Sequence, residues 1–286
     1  MTAFELYLST AAQAYLKRVA KPKSREKMSE SETESYYFEL QASWGLTKHM
    51  GGLEATRELI EACKINNDSH VLDVGCGVGI TACYLAEEYG CNVVGIDLSE
   101  LMVERSKERA KRKNVEDKVE FTIGDAQNLP FTEGVFDAVM CESVVAFAKD
   151  KQQVIREYAR VTKLGGYVGM NEVTWVETPP PELVAYLSRA LGHAEFLNPA
   201  GWKVLLEQAG LTGVAARVHK TSALRQWVSE VRQMDPRDYV GAWGKFLSLC
   251  FKSPAVRKWI KEISIPPRSI FRLFRYFGYG LYVGRK

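Results

Sequence analysis

No two of the six cysteines, at 63, 76, 83, 91, 141 and 250, form a C-x-x-C pair, so neither a zinc site nor a disulfide framework is written in their spacing. A reducing, cytoplasmic setting is the expectation. The opening residues, MTAFELYLST, lack a basic segment followed by a cleavable apolar stretch, and no later window of about 18 apolar residues occurs. Secretion by that route and a membrane span are therefore not expected. Proline is scarce, 10 residues in 286, while 46% of residues are hydrophobic and 26% charged, which excludes collagen, coiled coil and wholesale disorder. Such a chain can bury a proper core as one large domain with an appendage.

A strong overall charge is also missing, since the net value is only +3, but the balance is uneven along the chain. Residues 221–286 hold 13 Lys/Arg against 4 Asp/Glu, so the last quarter is basic and the remainder acidic. A basic face attracts phosphates of lipid, nucleic acid or an anionic substrate, and solvated helix faces give the same count.

What is present is a rhythm of short apolar runs and helical periods. Phe4, Leu8, Ala11, Tyr15 and Val19 fall at helical spacing, and the polar stretch KPKSREKMSESETE sets this arm, residues 1–50, apart from the rest of the chain. From 51 to 220 the runs HVLDVG, NVVGID, KVEFTIG, VFDAVMCE and GYVGMNEV alternate with helical stretches at 53–63, 79–89, 99–112 and 149–162. That alternation predicts an α/β fold, doubly wound, with a mostly parallel sheet covered by helices on both faces. LTGVAARVH and the terminal YGLYVGRK, residues 279–286, supply a sixth and a seventh strand. Residues 221–278 then read as a basic helical insertion between two neighbouring edge strands, and RSIFRLFRYF within it predicts an amphipathic helix suited to an anionic membrane surface, a pocket roof or a homodimer interface.

The segment VLDVGCGVG, 71–79, runs an apolar strand into Gly75, Gly77 and Gly79 and straight into a helix. Glycines there let a ligand lie against the main chain. A dinucleotide fold wants G-x-G-x-x-G, and a phosphate-binding P-loop wants a lysine after its last glycine; neither is present. Asp73, two places before the first glycine, would repel pyrophosphate and suits a ligand with an ammonium group. Asp97 ends the second strand, where a carboxylate can take two ribose hydroxyls. Asp125 and the Ala126 amide come after the third strand, placed for an adenine amine and a ring nitrogen. Each carboxylate alone could be a helix cap; three at successive strand ends, in one ligand's order, are harder to dismiss.

In VLDVGCGVG, VVGIDLS, GDAQNLPF, FDAVMCE and RVTKLGGYVGMNE, the chain resembles the class I S-adenosylmethionine-dependent methyltransferases over about residues 50–220. The resemblance implies the Rossmann-like methyltransferase fold with seven strands and S-adenosylmethionine as cofactor. It implies Gly75 and Gly77 beside the methionine part, Asp97 on the ribose, and Leu98, Asp125 and Ala126 around the adenine. GDAxxLPF and CESVVAFAKDK are most similar to enzymes acting on small, lipophilic acceptors, the sterol and tocopherol C-methyltransferases.

A sulfonium donor needs no metal, only an acceptor held in line and, where a proton must leave, a base. Glu142, past strand four, and Glu172, at the end of strand five, are expected to face the acceptor, with Glu142 apart from the donor contacts; His49 is a candidate base or gate. The acceptor is expected to be a small or lipid-like molecule. An RNA acceptor is disfavoured, because CESV stands where base methyltransferases carry an N-P-P-Y-type loop. A noncatalytic binding protein is the rival of another class.

Overall fold

The computed structural model describes residues 49–191, 194–222, 226, 241, 243–244, 247–248, 250–252, 257 and 274–286. The expected N-terminal arm up to residue 48 and most of the basic insertion lie outside the described residues.

Helix α1 (Gly52–Ala62) buries Ala55, Thr56, Leu59 and Ile60, spaced three and four apart along one face. Strand β1 (His70–Val74) leads through the glycine turn into α2 (Ile80–Tyr84), which widens into a π turn over Leu85–Tyr89. After β2 (Asn92–Asp97), the Ser99 hydroxyl accepts the Met102 amide and starts α3 (Glu100–Lys113). Glu100 stands in its first turn and Lys111, Arg112 and Lys113 in its last, which suits the helix dipole. Strands β3 (Val119–Ile123) and β4 (Phe136–Glu142) come next, then a 3-10 turn over Val145–Phe147 and α4 (Lys151–Val161), capped by Asp150. Strand β5 (Thr162–Trp175), α5 (Pro181–Ala190), α6 (Pro199–Gln208), β6 (Thr212–Lys220) and β7 (Phe277–Arg285) complete the described elements.

The seven strands form one sheet in the order β3-β2-β1-β4-β5-β7-β6. Neighbours are parallel except that β7 runs antiparallel to both β5 and β6. The expected fold is present, with one correction: β7 enters between β5 and β6, so of these last two strands β6 alone is an edge. It also starts at Phe277, two residues before the expected boundary.

The sheet separates two cores. Leu59, Ile60, Val71, Val93, Val103 and Met140 pack on the α1 side, and Leu72, Val139, Ile155, Tyr158, Met170 and Trp202 on the α4 side. At the end of the segment RSIFRLFRYF, Phe277 is buried, Phe274 packs on the second core, and Arg275 donates to Glu177 at 3.0 Å. That end of the expected membrane-facing helix is docked on the sheet. Among the described residues no helix is long and apolar enough to cross a membrane.

Candidate active site at the ends of strands one, two and four

The strand pleat decides which side chains meet. Along β1 and β4, Val71, Ala138 and Met140 enter the α1-side core, while Leu72, Val74, Val139 and Cys141 enter the other. By the same alternation Asp73 and Glu142 both emerge on the α1 side, at the C-terminal ends of neighbouring strands.

Beyond β1 the chain turns at Gly75, whose φ is 70°; a Cβ there would also strike the side chain of Val144. The turn brings the Gly77 amide to Asp97 Oδ2 at 2.9 Å, and the Ser99 amide reaches Oδ1 at 2.9 Å. Each carboxylate oxygen thus holds one backbone N–H and keeps a lone pair for a hydroxyl. Burial pushes the Asp97 carboxyl above its ordinary range against the pull of these two amides.

Beside it, Leu98 is 70% exposed and Ile123, the ladder partner of Asp97, is 50% exposed. Apolar side chains left open at a strand-end crevice are what a flat aromatic ring would cover. Asp125 lies beyond them, its Oδ1 accepting the Gln127 amide at 2.8 Å, and half-buried Ala126 packs on the core.

Asp73 is 3% exposed, and its Oδ2 has no hydrogen-bond partner. Burial first, then the charges of Glu142 and Asp97, push its carboxyl up to about 8. An orphaned buried acceptor beside a glycine turn and two more carboxylates is a place short of one cation. The ammonium of S-adenosylmethionine fits that need, so Asp73 and the glycine turn would hold its methionine part, Asp97 its ribose, and Leu98, Asp125 and Ala126 its adenine.

Contrary to the expectation from the sequence, Glu142 does not stand apart from this side of the site. Its Oε2 accepts the hydroxyl of Thr81, one residue into α2, at 2.8 Å, and its Oε1 accepts the hydroxyl of Thr56 at 3.0 Å. His49 Nδ1 lies 3.3 Å from Oε1, with side-chain exposures of 11% for His49 and 6% for Glu142. Asn171, opposite Glu142 in the β4–β5 ladder, places Nδ2 3.3 Å from His49 Nδ1 and 3.4 Å from Glu142 Oε1 while donating to the Met50 carbonyl at 2.9 Å. Gln226 fastens the same loop, donating to the His49 carbonyl and accepting the Gly51 amide, both at 3.1 Å.

Glu172 does not join Glu142. One residue beyond Asn171, it points to the opposite face of the sheet, where it is fully buried and accepts the amides of Val144 and Val145 at 3.0 and 2.8 Å. The expectation that both glutamates face the acceptor fails on strand parity. Sequence reasoning passed over Thr56, Thr81 and Asn171; the pairing of FDAVMCE with GYVGMNEV carries the signal for Asn171, whereas nothing local marks Gln226, 177 residues from His49. Among the described residues no group of His, Cys, Asp and Glu could hold a metal ion. A groove of about 530 Å³ lined by Glu58, Lys64, Tyr167, Arg217 and Arg285 shares no residue with this site.

The strand order and the glycine turn agree with the Rossmann-like methyltransferase fold that the resemblance implies. Residues 72–170 match the family described as a methyltransferase domain.

Methyltransferase GfsG of Streptomyces halstedii is 33% identical over 168 residues, covering 56% of this chain and 59% of the relative. Norajmaline N-methyltransferase of Rauvolfia serpentina is 34% identical over 172 residues, covering 56% and 54%. The chain thus spans little more than half the length of these relatives. The structure of Haemonchus contortus phosphoethanolamine N-methyltransferase 2, solved with phosphomonomethylethanolamine and S-adenosylhomocysteine, superposes with a TM-score of 0.67 at 17% identity, over 91% of this chain and 60% of that one. At that identity the likeness concerns the fold.

Proposed function

We propose that the protein transfers a methyl group from S-adenosylmethionine to a nitrogen of a small-molecule acceptor, with the His49–Glu142 pair taking the proton that the nitrogen sheds. The observation that carries this reading is the 3.3 Å approach of His49 Nδ1 to Glu142 Oε1 beside the glycine turn. S-adenosylmethionine, when bound, supplies a methyl on a sulfonium, whose bond electrons stay on sulfur as the carbon–sulfur bond breaks.

The chain's own part is to orient the acceptor, exclude water and accept a proton. Two proton placements satisfy the cluster. With neutral His49 carrying its proton on Nε2, that N–H points at Thr56 Oγ1, 3.5 Å away, and Asn171 donates to Nδ1. With a proton on Nδ1, that N–H donates to Glu142 Oε1 and the Asn171 amide turns to the same oxygen, 3.4 Å away. Uptake therefore places the new positive charge against a carboxylate whose other oxygen is held by Thr81. The N-methyltransferases among the relatives support nitrogen as the receiving atom.

The test is methyl transfer from labelled donor to separate panels of amines, phenols, lipophilic ring compounds and RNA. Labelled amines support the reading. Label only on oxygen, carbon or RNA overturns it, and donor binding without transfer to any panel favours a noncatalytic binding protein.

A further inference from the structure

We propose that Glu172 is a positioning residue for this site: its carboxylate holds the turn after β4 in the shape that carries Glu142 to His49 and lays Val144 against the glycine turn. The catalytic half of this inference rests on the reading of His49 and Glu142 above.

The turn is not one the chain would adopt by itself. Ser143 has a φ of 62°, a left-handed conformation that residues with a side chain rarely take, while its amide donates to the Asn171 carbonyl at 2.7 Å. Past it, three successive amides at the start of the 3-10 turn point at one buried acceptor. Glu172 Oε1 takes those of Val144 and Val145, Oε2 takes that of Ala146 at 3.4 Å, and the Cys141 thiol donates to Oε1 at 3.8 Å. A carboxylate at such an N-terminus satisfies donors that have no helical partner. Val144, pinned by this contact, fills the space at Gly75 that a Cβ would need. One carboxylate on the α4 side of the sheet thereby fixes both the strand end bearing Glu142 and the wall of the donor turn.

The titratable groups around Glu172 are Cys141 of β4, Tyr158 of α4 and Tyr282 of β7, with Asp73 acting on the first two from beyond the sheet. Burial pushes the thiol and both phenols up, out of the physiological range. Glu172 is itself held up at about 7, by burial working against the three amides and the thiol. Its ionised form accepts all the donors, whereas its protonated form turns one oxygen into a hydroxyl facing groups that only donate. The clamp is therefore made by the ionised carboxylate, and the raised value shows that closing it works against the desolvation of that charge.

The test is hydrogen exchange of the Val144, Val145 and Ala146 amides in the full chain, wild type and Glu172→Gln, at about pH 8 with intrinsic rates corrected. Donor affinity and turnover are measured on the same proteins. Glutamine keeps the shape but removes the charge and sets an NH₂ group against a backbone donor. The expected result is clear protection of these amides in the wild type and roughly tenfold less in the variant. Turnover of the variant should fall by roughly tenfold or more, with a smaller change in donor affinity. Wild-type exchange of these three amides at the intrinsic, unprotected rate overturns the proposal, and that measurement needs no variant that folds. Wild-type protection and turnover in Glu172→Gln overturn it as well. Because exchange needs no acceptor, a chain that shows the clamp but methylates no amine overturns the nitrogen reading and leaves the clamp standing.

Discussion

Asp73 and Glu142 end neighbouring parallel strands on one face of the sheet, and the charge of Glu142 adds to burial in holding the Asp73 carboxyl up at about 8. Two carboxylates brought together in this way cannot both ionise cheaply without a cation. With its carboxyl held up at about 8, Asp73 favours the protonated form at neutral pH, and a ligand bearing an ammonium would displace that proton.

Binding of S-adenosylmethionine at pH 7 is accordingly expected to release close to one proton. Titration calorimetry in buffers of different ionisation enthalpy reads this as a buffer-dependent heat. The raised value sets the sign: bound Asp73 is ionised and free Asp73 is protonated, so affinity strengthens as pH rises toward 8. Heats that do not vary with the buffer would show that Asp73 keeps its charge state through binding.

Stability should respond in the opposite sense. Between the ordinary carboxylate value and the raised one, folded Asp73 holds a proton that the unfolded chain has lost, so this group makes the free protein less stable as pH rises from about 4 to about 8, by up to about 1.4 kcal/mol per pH unit. Glu172 adds the same sign up to about 7. Asp73→Asn removes the first contribution, and urea denaturation at several pH values should show a flatter stability profile for the variant than for the wild type. Parallel profiles would place the Asp73 value near normal in the folded state.

The local geometry of the candidate donor side was legible because its groups lie at strand ends, where one segment and its glycine spacing decide how Gly77 and Asp97 meet. Asp73, Gly77 and Asp97 needed no knowledge of pairing. The acceptor side was not, because it depends on register and parity across strands: FDAVMCE and GYVGMNEV both carry a glutamate at or near the end, yet Glu142 pairs with Asn171, and Glu172 falls on the other face. The place of β7 between β5 and β6 was likewise hidden, since antiparallel insertion from the far end of the chain leaves no local mark. His49 was marked only by the glycine pair just after it. Its neighbours Thr56 and Asn171 come from a helix and a strand whose packing no short motif encodes.

Asp97→Ala is expected to weaken S-adenosylmethionine binding. Two ribose hydroxyls would lose a charged acceptor, at about 1.5–3 kcal/mol for each hydrogen bond to a charged group. The Gly77 and Ser99 amides would lose theirs as well, so part of the loss comes through the glycine turn. Asp97→Asn separates the two, because its carbonyl still accepts one amide. Calorimetry should rank wild type, Asn and Ala in falling order of affinity, whereas equal affinities would assign the carboxylate to the fold alone.

His49 and Glu142 form one proton-accepting unit, so removing either should cost about as much as removing both. Turnover with an amine acceptor is expected to fall by roughly 10²–10⁴ in His49→Ala and in Glu142→Gln, the range of general acid–base work, and hardly further in the double variant. Donor affinity separates the two residues. Glu142 touches Thr81 and adds its charge to Asp73, so Glu142→Gln should also change S-adenosylmethionine binding and lower the Asp73 carboxyl from about 8. His49 touches Glu142, Thr56 and Asn171, and no residue assigned to the donor, so His49→Ala should leave that affinity near normal. Multiplying losses in the double variant would mean that the two side chains act independently. Normal turnover in His49→Ala would leave Glu142 to act alone or leave methyl transfer to proximity.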